Sequence, residues 1–244
     1  MVNKGNPKPD PNAGYHNSDL AKAGARILKS GSWKKQRVVM MMPAGDTVPF
    51  KVALAMRSLI FPPNQAAHVM GALGMEVGDA YSSAIASVLA EPNLSTWEFI
   101  LTMEHDNLPP VDGLVKLIAR MEAHPEMAAI SGLYHTKGPE GVPQIWGDPN
   151  DGLNFRPQPP RPGELVECCG IGMGFALWRL SMFKDARLRR PWFRTIAGAQ
   201  GVGTQDLYFA ADARQYGYRF AVDCDVLVGH YDLTGQFGIP DFVW

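Results

Sequence analysis

Residues 99–110, FILTMEHDNLPP, contain the pattern that decides the fold. The run FIL at 99–101 is apolar and has the length expected at the core of a buried strand. The polar triplet EHD at 104–106 follows at the end of the strand where open α/β sheets bind their ligands. The prolines at 109–110 fit the first turn of a helix, because that turn does not need their missing amides.

The polar tip brings two carboxylates, Glu104 and Asp106, close together in the chain. Strand geometry would place both on one side, with His105 on the opposite side. Carboxylate oxygens are ligands that Mg²⁺ and Mn²⁺ prefer, so the tip is a candidate metal site. An acidic turn that caps the following helix accounts for the same residues, and the spacing alone leaves both interpretations open.

Apolar runs alternate with amphipathic segments on both sides of this stretch. Strands are predicted at 37–42, 66–73, 99–103, 127–135 and 220–230. Helices are predicted between 48 and 59 and at 78–92, 111–124 and 206–217. This alternation predicts an α/β fold, a single Rossmann-like domain whose mainly parallel central sheet is flanked by helices. In the last strand, alternation predicts that Phe220, Val222, Cys224, Val226, Val228 and His230 share one face.

Charge divides the chain unevenly. Residues 1–37 carry eight Lys or Arg against Asp10 and Asp19, a charge of about +6. The rest of the chain carries about −7, so the net charge of the whole is −1. We predict a basic arm with a short helix at 1–36, a domain at 37–232 and an aromatic tail at 233–244. The arm is either a solvated leader or a contact for an acidic partner, and arm or tail is a candidate contact for a homo-oligomer.

Targeting and redox signals favour a cytoplasmic protein. The three cysteines, two of them adjacent, do not form a disulfide framework. The polar, proline-rich beginning lacks the apolar centre of a signal peptide, and no apolar run approaches the ~20 residues of a membrane span.

Three segments of the second half are candidates for ligand contact. Residues 138–163 are rich in proline and glycine and predict a substrate-facing insertion, in which Trp146 either stacks on a sugar or anchors the loop. The glycines of 198–203 suit a lid that excludes water or a disordered loop. The basic segment 184–194 is a solvated surface or a contact for an acidic acceptor.

Five motifs in chain order resemble those of the GT-A glycosyltransferases, particularly the broad family 2-like group, over residues 37–232. They are MMPAGD at 41–46, EHD at 104–106, GIGMGF at 170–175, GTQDLYFAADARQYGY at 203–218 and VLVGH at 226–230. The resemblance implies a nucleotide-binding half at 37–138 and an acceptor-binding half at 139–232.

The EHD triplet corresponds to the family's Asp-X-Asp motif, with Glu104 in place of the first aspartate. By position, Asp106 would hold Mn²⁺ or Mg²⁺ on the diphosphate of a nucleotide sugar, preferably a UDP-sugar. Glu104 would assist directly or through water, and His105 would lie beside the donor. His230 would be a further metal ligand, although a core histidine explains its place in an apolar strand equally well.

The resemblance also implies the remaining site residues. Pro43, Ala44, Gly45 and Asp46 match the loop that holds the nucleoside, and Asp46 suits an ordinary Asp turn equally well. Asp206 matches the base that takes a proton from the acceptor hydroxyl in an inverting enzyme, or it stabilises a helix N-terminus.

Two further places depend on the family pattern. The family's arginine after the second strand is missing here, which leaves Asp79, Tyr81 and Ser82 as replacements. Gly172, in the GIGMGF motif, is expected where the backbone approaches the donor closely.

We therefore expect a metal-dependent glycosyltransferase that moves a sugar from a nucleotide diphosphate to an acceptor hydroxyl. The acceptor, whether a protein, a glycan, a small molecule or a modified nucleic acid, stays open, as does the stereochemistry. A non-catalytic nucleotide-sugar or glycan binding module of the same fold is the alternative. A sugar nucleotidyltransferase is disfavoured, because no glycine-rich triphosphate loop with Arg and Lys follows the first strand.

Overall fold

The computed structural model describes residues 38–62, 67–138, 140–198 and 201–231. The predicted basic arm (1–36) and aromatic tail (233–244) lie outside the described residues. The α-helices are α1 Phe50–Ser58, α2 Val77–Ala90, α3 Gly113–Ala123 and α4 Gln205–Gln215. The strands are β1 Val38–Ala44, β2 Ala67–Leu73, β3 Phe99–Met103, β4 Asn107–Leu108, β5 Met127–Leu133, β6 Ile145–Trp146, β7 Leu165–Cys168, β8 Gly170–Ile171, β9 Phe175–Arg179, β10 Ile196–Gly198, β11 Gly201–Gly203, β12 Arg219–Leu227 and β13 Gly229–His230.

Seven strands form the central sheet in the order β2-β1-β3-β9-β5-β12-β7. Parallel pairing joins β2, β1 and β3 on one side and β5 with β12 on the other. Strand β9 lies between the two groups and β7 at the edge, both antiparallel to their neighbours. The α/β prediction, one domain with a mostly parallel sheet and flanking helices, is confirmed.

Both faces of the sheet are buried, as the long apolar runs predict. In β1, Val39 and Met41 belong to one core cluster, whereas Val38 and Met40 belong to the other. The helices cover these faces with residues at the predicted spacing, such as Leu117 of α3, which is fully buried.

The first strand extends two residues beyond the prediction of 37–42 and includes Pro43. Strand β3 pairs only with residues 38–41 of β1, whereas β2 pairs along the whole of β1. Pro43 therefore lies where β1 has a single neighbouring strand, and a missing amide is tolerated there.

The prediction that alternate residues of 220–230 share one face is wrong. Pairing between β12 and β5 is irregular between Asp223 and Leu227, so the alternation changes phase there. Phe220 lies in one core cluster and Val226 in the other. The chain then forms β13 as a separate strand, which pairs with β4.

The basic segment 184–194 contributes more to packing than its composition suggests. Its aromatic residues, Trp192 and Phe193, are buried in the core. Arg187 pairs with Asp185, and Arg189 pairs with the buried Asp212.

Two global features agree with the composition. The three cysteines are free and buried. None of the helices in the described ranges combines the length and the apolarity that a bilayer crossing needs.

Candidate functional site

The candidate site begins where β3 ends at Met103. The amide of Asn107 donates to the carbonyl oxygen of Glu104 (3.2 Å), so residues 104–107 form a tight turn instead of continuing the strand. The predicted opposition of His105 to the two carboxylates is therefore wrong. Glu104, His105 and Asp106 all line the same cleft.

A two-stranded ribbon brings the distant histidine to this turn. Strand β13 pairs with β4 so that His230 lies opposite Asn107. The amide of Tyr231 donates to the carbonyl oxygen of Asp106 at 2.6 Å. These bonds join backbone atoms of the two segments, and they hold Asp106 and His230 close to each other.

His230 directs its Nε2 atom toward Asp106. Its Nδ1 lies 2.7 Å from the carbonyl oxygen of His135, and a carbonyl can only accept, so Nδ1 donates. The other ring nitrogen, Nε2, is 3.6 Å from Oδ2 of Asp106 and is the atom that a metal ion would use when the ring is neutral. A backbone carbonyl that orients the ring in this way is common for histidines that bind metals.

A cation already contacts the same carboxylate. Nζ of Lys137 donates to Oδ2 of Asp106 at 2.6 Å. Burial raises the pKa of Asp106, but the hydrogen bonds and charges of His230 and Lys137 outweigh it and lower the pKa to about 2. Lys137 was missed in the sequence, although its place just after β5, at the same edge of the sheet, is a signal that could have identified it.

Asp106 and His230 fit two protein ligands of one divalent cation. With metal bonds of about 2.1 Å, two ligands of one ion are at most roughly 4.2 Å apart, and the observed 3.6 Å is within this limit. The described residues hold no cluster of three or more His, Cys, Asp or Glu that could bind a metal ion. Glu104 therefore does not complete such a cluster, and of its two expected metal roles only contact through water would be compatible with this arrangement.

The first cleft, of about 280 Å³, lies between the ends of β1, β2 and β3. It contains three of the four residues expected to hold the nucleoside, Pro43, Ala44 and Gly45, together with the whole triplet 104–106. Asp46 is exposed and lies outside the lining of the cleft.

The second cleft, of about 420 Å³, lies on the other side of Glu104. Its lining includes Asp206, Trp146, His230 and Tyr134. Glu104 lines both clefts and forms a common wall. Trp146 is therefore placed at a cleft, although its indole nitrogen donates to Gln144 at 2.8 Å and also supports the loop.

Asp206 lies in the first turn of α4, where a carboxylate is favourable. It accepts a hydrogen bond from the amide of Leu207 at 2.8 Å. Thr204 occupies the N-cap position, as predicted, but makes no capping bond. Burial raises the pKa of Asp206, while the hydroxyl of Thr204 and the amide of Leu207 act in the opposite direction.

Glu104 and Tyr81 both have raised pKa values. Burial, then the charges of Asp106 and Asp206, raise the pKa of Glu104 to about 8, and Lys137 opposes them. Burial and the charge of Glu104 also raise the pKa of Tyr81. The Tyr81 hydroxyl is buried without a hydrogen-bond partner among the described residues.

Three predicted binding residues have other surroundings. Asp79 is exposed and lines a separate cavity beside Arg190. The Ser82 hydroxyl exchanges hydrogen bonds with the backbone of Phe193, at 3.1 and 3.2 Å, and ties α2 to the core. At Gly172 a Cβ atom would collide with the Tyr134 hydroxyl. The missing side chain of this glycine therefore makes room for Tyr134, a residue of the protein itself.

Comparisons with known proteins support the fold alone. No family model matches the chain. No curated protein matches it either. Among solved structures, A197 from STIV is similar, with a TM-score of 0.56 and 15% identity, over 81% of this chain and 86% of that chain.

Proposed function

We propose that the chain is a GT-A glycosyltransferase that moves a sugar from a nucleotide diphosphate, preferably UDP, to an acceptor hydroxyl. The supporting observation is the meeting of two clefts at Glu104. One cleft has Asp106 at its wall and the other has Asp206. A transfer reaction needs a donor site and an acceptor site that meet at the reacting carbon.

The first cleft suits the donor. Pro43, Ala44 and Gly45 lie at its β1 end, where α/β folds hold nucleotides. Asp106 and His230 would hold Mn²⁺ or Mg²⁺, which when bound neutralises the charge that develops on the departing phosphate. Magnesium sites of this kind use one or two carboxylates with phosphate oxygens and waters, so a third protein ligand is not required.

The second cleft suits the acceptor. A hydroxyl is a weak nucleophile and needs a base within hydrogen-bond reach. Asp206 lines this cleft, and its carboxylate is held by the amide of Leu207. Its raised pKa makes it a stronger base than an exposed aspartate.

UDP release in the presence of Mn²⁺ tests the proposal. The purified chain, incubated with common UDP-sugars and candidate acceptors, should release UDP, and Asp106→Ala should abolish this release. Asp112→Ala is the matched control, because Asp112 is a partly exposed aspartate that pairs with Lys116 away from both clefts. An Asp112→Ala chain that loses activity equally would contradict the assigned role of Asp106.

Calorimetry separates the alternative from the proposal. A non-catalytic module should bind UDP or the UDP-sugar without releasing UDP by hydrolysis or transfer. The absence of both binding and turnover across common donors would refute the proposed function for those donors.

A further inference from the structure

Lys137 occupies the carboxylate oxygen that a metal ion would need. Its ammonium lies 2.6 Å from Oδ2 of Asp106. The same oxygen faces Nε2 of His230 at 3.6 Å. A metal held between Asp106 and His230 and the ammonium of Lys137 therefore compete for one oxygen atom.

The backbone on both sides of Lys137 is fixed. The amide of Thr136 donates to the carbonyl oxygen of Val142 at 2.8 Å, and the amide of Val142 donates to the hydroxyl of Thr136 at 2.9 Å. On the other side, the amide of Gly141 donates to the carbonyl oxygen of Gly138 at 3.2 Å. Any change at Lys137 is therefore confined to its side chain.

The side chain of Lys137 has a route to solvent. It is 27% exposed, whereas the side chain of Asp106 is 11% exposed. A flexible lysine can therefore leave the carboxylate by rotation about its own bonds, without opening the core. The carboxylate itself stays in place, because the backbone of Asp106 is hydrogen-bonded to Tyr231.

Charge favours the exchange. Glu104 and Asp206 interact electrostatically with each other, and Glu104 also interacts with Asp106 and Lys137. A divalent cation brings two positive charges to these carboxyl groups where the ammonium brings one. Phosphate groups of a donor in the first cleft would then offer the displaced ammonium a new partner close by.

We propose that Lys137 is an internal counter-ion that a divalent cation displaces from Asp106. The exchange sets the metal affinity of the site and releases the ammonium to bind the diphosphate of the donor. The step involving the diphosphate rests on the proposed function, whereas the competition with the metal does not.

Titration of the full chain with MnCl₂ in a calorimeter tests the competition. Lys137→Met removes the ammonium but keeps a similar length, and we expect it to bind Mn²⁺ roughly tenfold or more tightly than the unmodified chain. Lys137→Arg keeps the charge and should bind Mn²⁺ no more tightly than the unmodified chain. Unchanged or weaker binding by Lys137→Met, or no binding of Mn²⁺ to any variant, would overturn the inference.

Two controls keep this result interpretable. Lys116→Met removes an equivalent ammonium from the surface pair with Asp112 (2.8 Å) and should leave the Mn²⁺ affinity unchanged. Lys137→Gln serves as a second neutral variant if Lys137→Met does not fold, and the same tighter binding is expected. An equal increase in Lys116→Met would show that only net charge matters and would overturn the inference.

Titration with UDP at saturating Mn²⁺ tests the second step. Lys137→Met should then bind UDP at least fivefold more weakly, because the displaced ammonium is missing. Unchanged UDP affinity would overturn this step. If no variant binds UDP, the proposed function fails together with this step, while the Mn²⁺ titration still decides the competition.

Discussion

Oδ2 of Asp106 lies 3.6 Å from Nε2 of His230, although the two residues come from distant parts of the chain. The β4/β13 ribbon brings them together, and the contact between Nδ1 and the carbonyl of His135 leaves Nε2 facing the carboxylate. This proximity is a requirement for the proposed pair of metal ligands, whereas an acidic turn that only caps a helix does not need it. The predictions below test it and the groups around it.

His230→Ala should lower the affinity for Mn²⁺ roughly tenfold or more, since it removes one of the two proposed protein ligands. Calorimetric titration with MnCl₂ measures the effect. His124→Ala is the control, because His124 is partly exposed and pairs with Glu126 outside the clefts. Equal Mn²⁺ affinity in both variants would favour the interpretation of His230 as a core histidine.

Asp206→Asn should lower the transfer rate roughly 10²- to 10⁴-fold, the usual effect of losing a general base. The same change should raise the melting temperature at neutral pH. Burial raises the pKa of Asp206 in the folded chain, so the folded state loses stability as the pH rises through that pKa. The uncharged amide side chain of the variant avoids this loss, and thermal unfolding measures it.

Asp212→Ala, on the same helix, should have the opposite effect on stability. Asp212 is buried and accepts hydrogen bonds from the amide of Arg189 (2.8 Å) and from its guanidinium (3.0 Å). Removal of this acceptor should lower the free energy of unfolding by roughly 1–3 kcal/mol. A stability change of the same sign in both aspartate variants would contradict the contrast between their surroundings.

Glu104→Gln should change how stability depends on pH. The folded pKa of about 8 lies above the value near 4.3 of an unfolded glutamate. The folded chain therefore binds more protons across this window and loses stability as the pH rises to about 8. Melting temperatures without metal should increasingly favour the variant from about pH 5 to about pH 8, while the exposed Glu140→Gln should follow the unmodified chain.

Gly174→Ala should destabilise the chain by roughly 1–3 kcal/mol, because the added methyl group overpacks the site. A Cβ atom there would lie 2.5 Å from Oδ1 of Asn107 and 2.7 Å from the ring of Tyr134. The carbonyl oxygen of Gly174 also accepts from the amide of Glu104, so the common wall of the clefts should shift.

Gly45→Ala provides the contrast in a urea titration. An added Cβ atom would meet nothing within 4 Å at Gly45, so the free energy of unfolding should stay unchanged. Gly45 lines the first cleft, and any effect should fall on nucleotide binding instead. Equal destabilisation by both substitutions would contradict the packing described around Gly174.

Periodic patterns predicted the main strands and helices because burial on both faces leaves long apolar runs in the sequence. The antiparallel place of β9 was not predictable, since 170–179 carries no signal of direction and pairs with strands far away in the chain. The change of phase in β12 was not predictable either, because the sequence carries no signal of it. The apolar alternation continues through the irregularity between Asp223 and Leu227.

The sequence predicted which residues lie together where one strand end determines position, but not where side chains meet across loops. Residues 43–45, at the end of β1, and the triplet 104–106 line the first cleft, as adjacent strand ends predict. Lys137 and Tyr134 belong to the segment that follows β5. Their hydrogen bonds are made with residues of other elements, Asp106 and Gly174, which the sequence of this segment does not reveal. Gly172 was assigned to a ligand because sequence alone does not reveal that Tyr134 fills the space.

The ribbon of β4 and β13 also determines when the site comes into existence during synthesis. Strands β1, β2 and β3 can pair as soon as residue 103 has left the ribosome, but Asp106 acquires its imidazole neighbour only after residue 230 has emerged. A nascent chain can therefore pair the first three strands of its sheet long before these two side chains can meet.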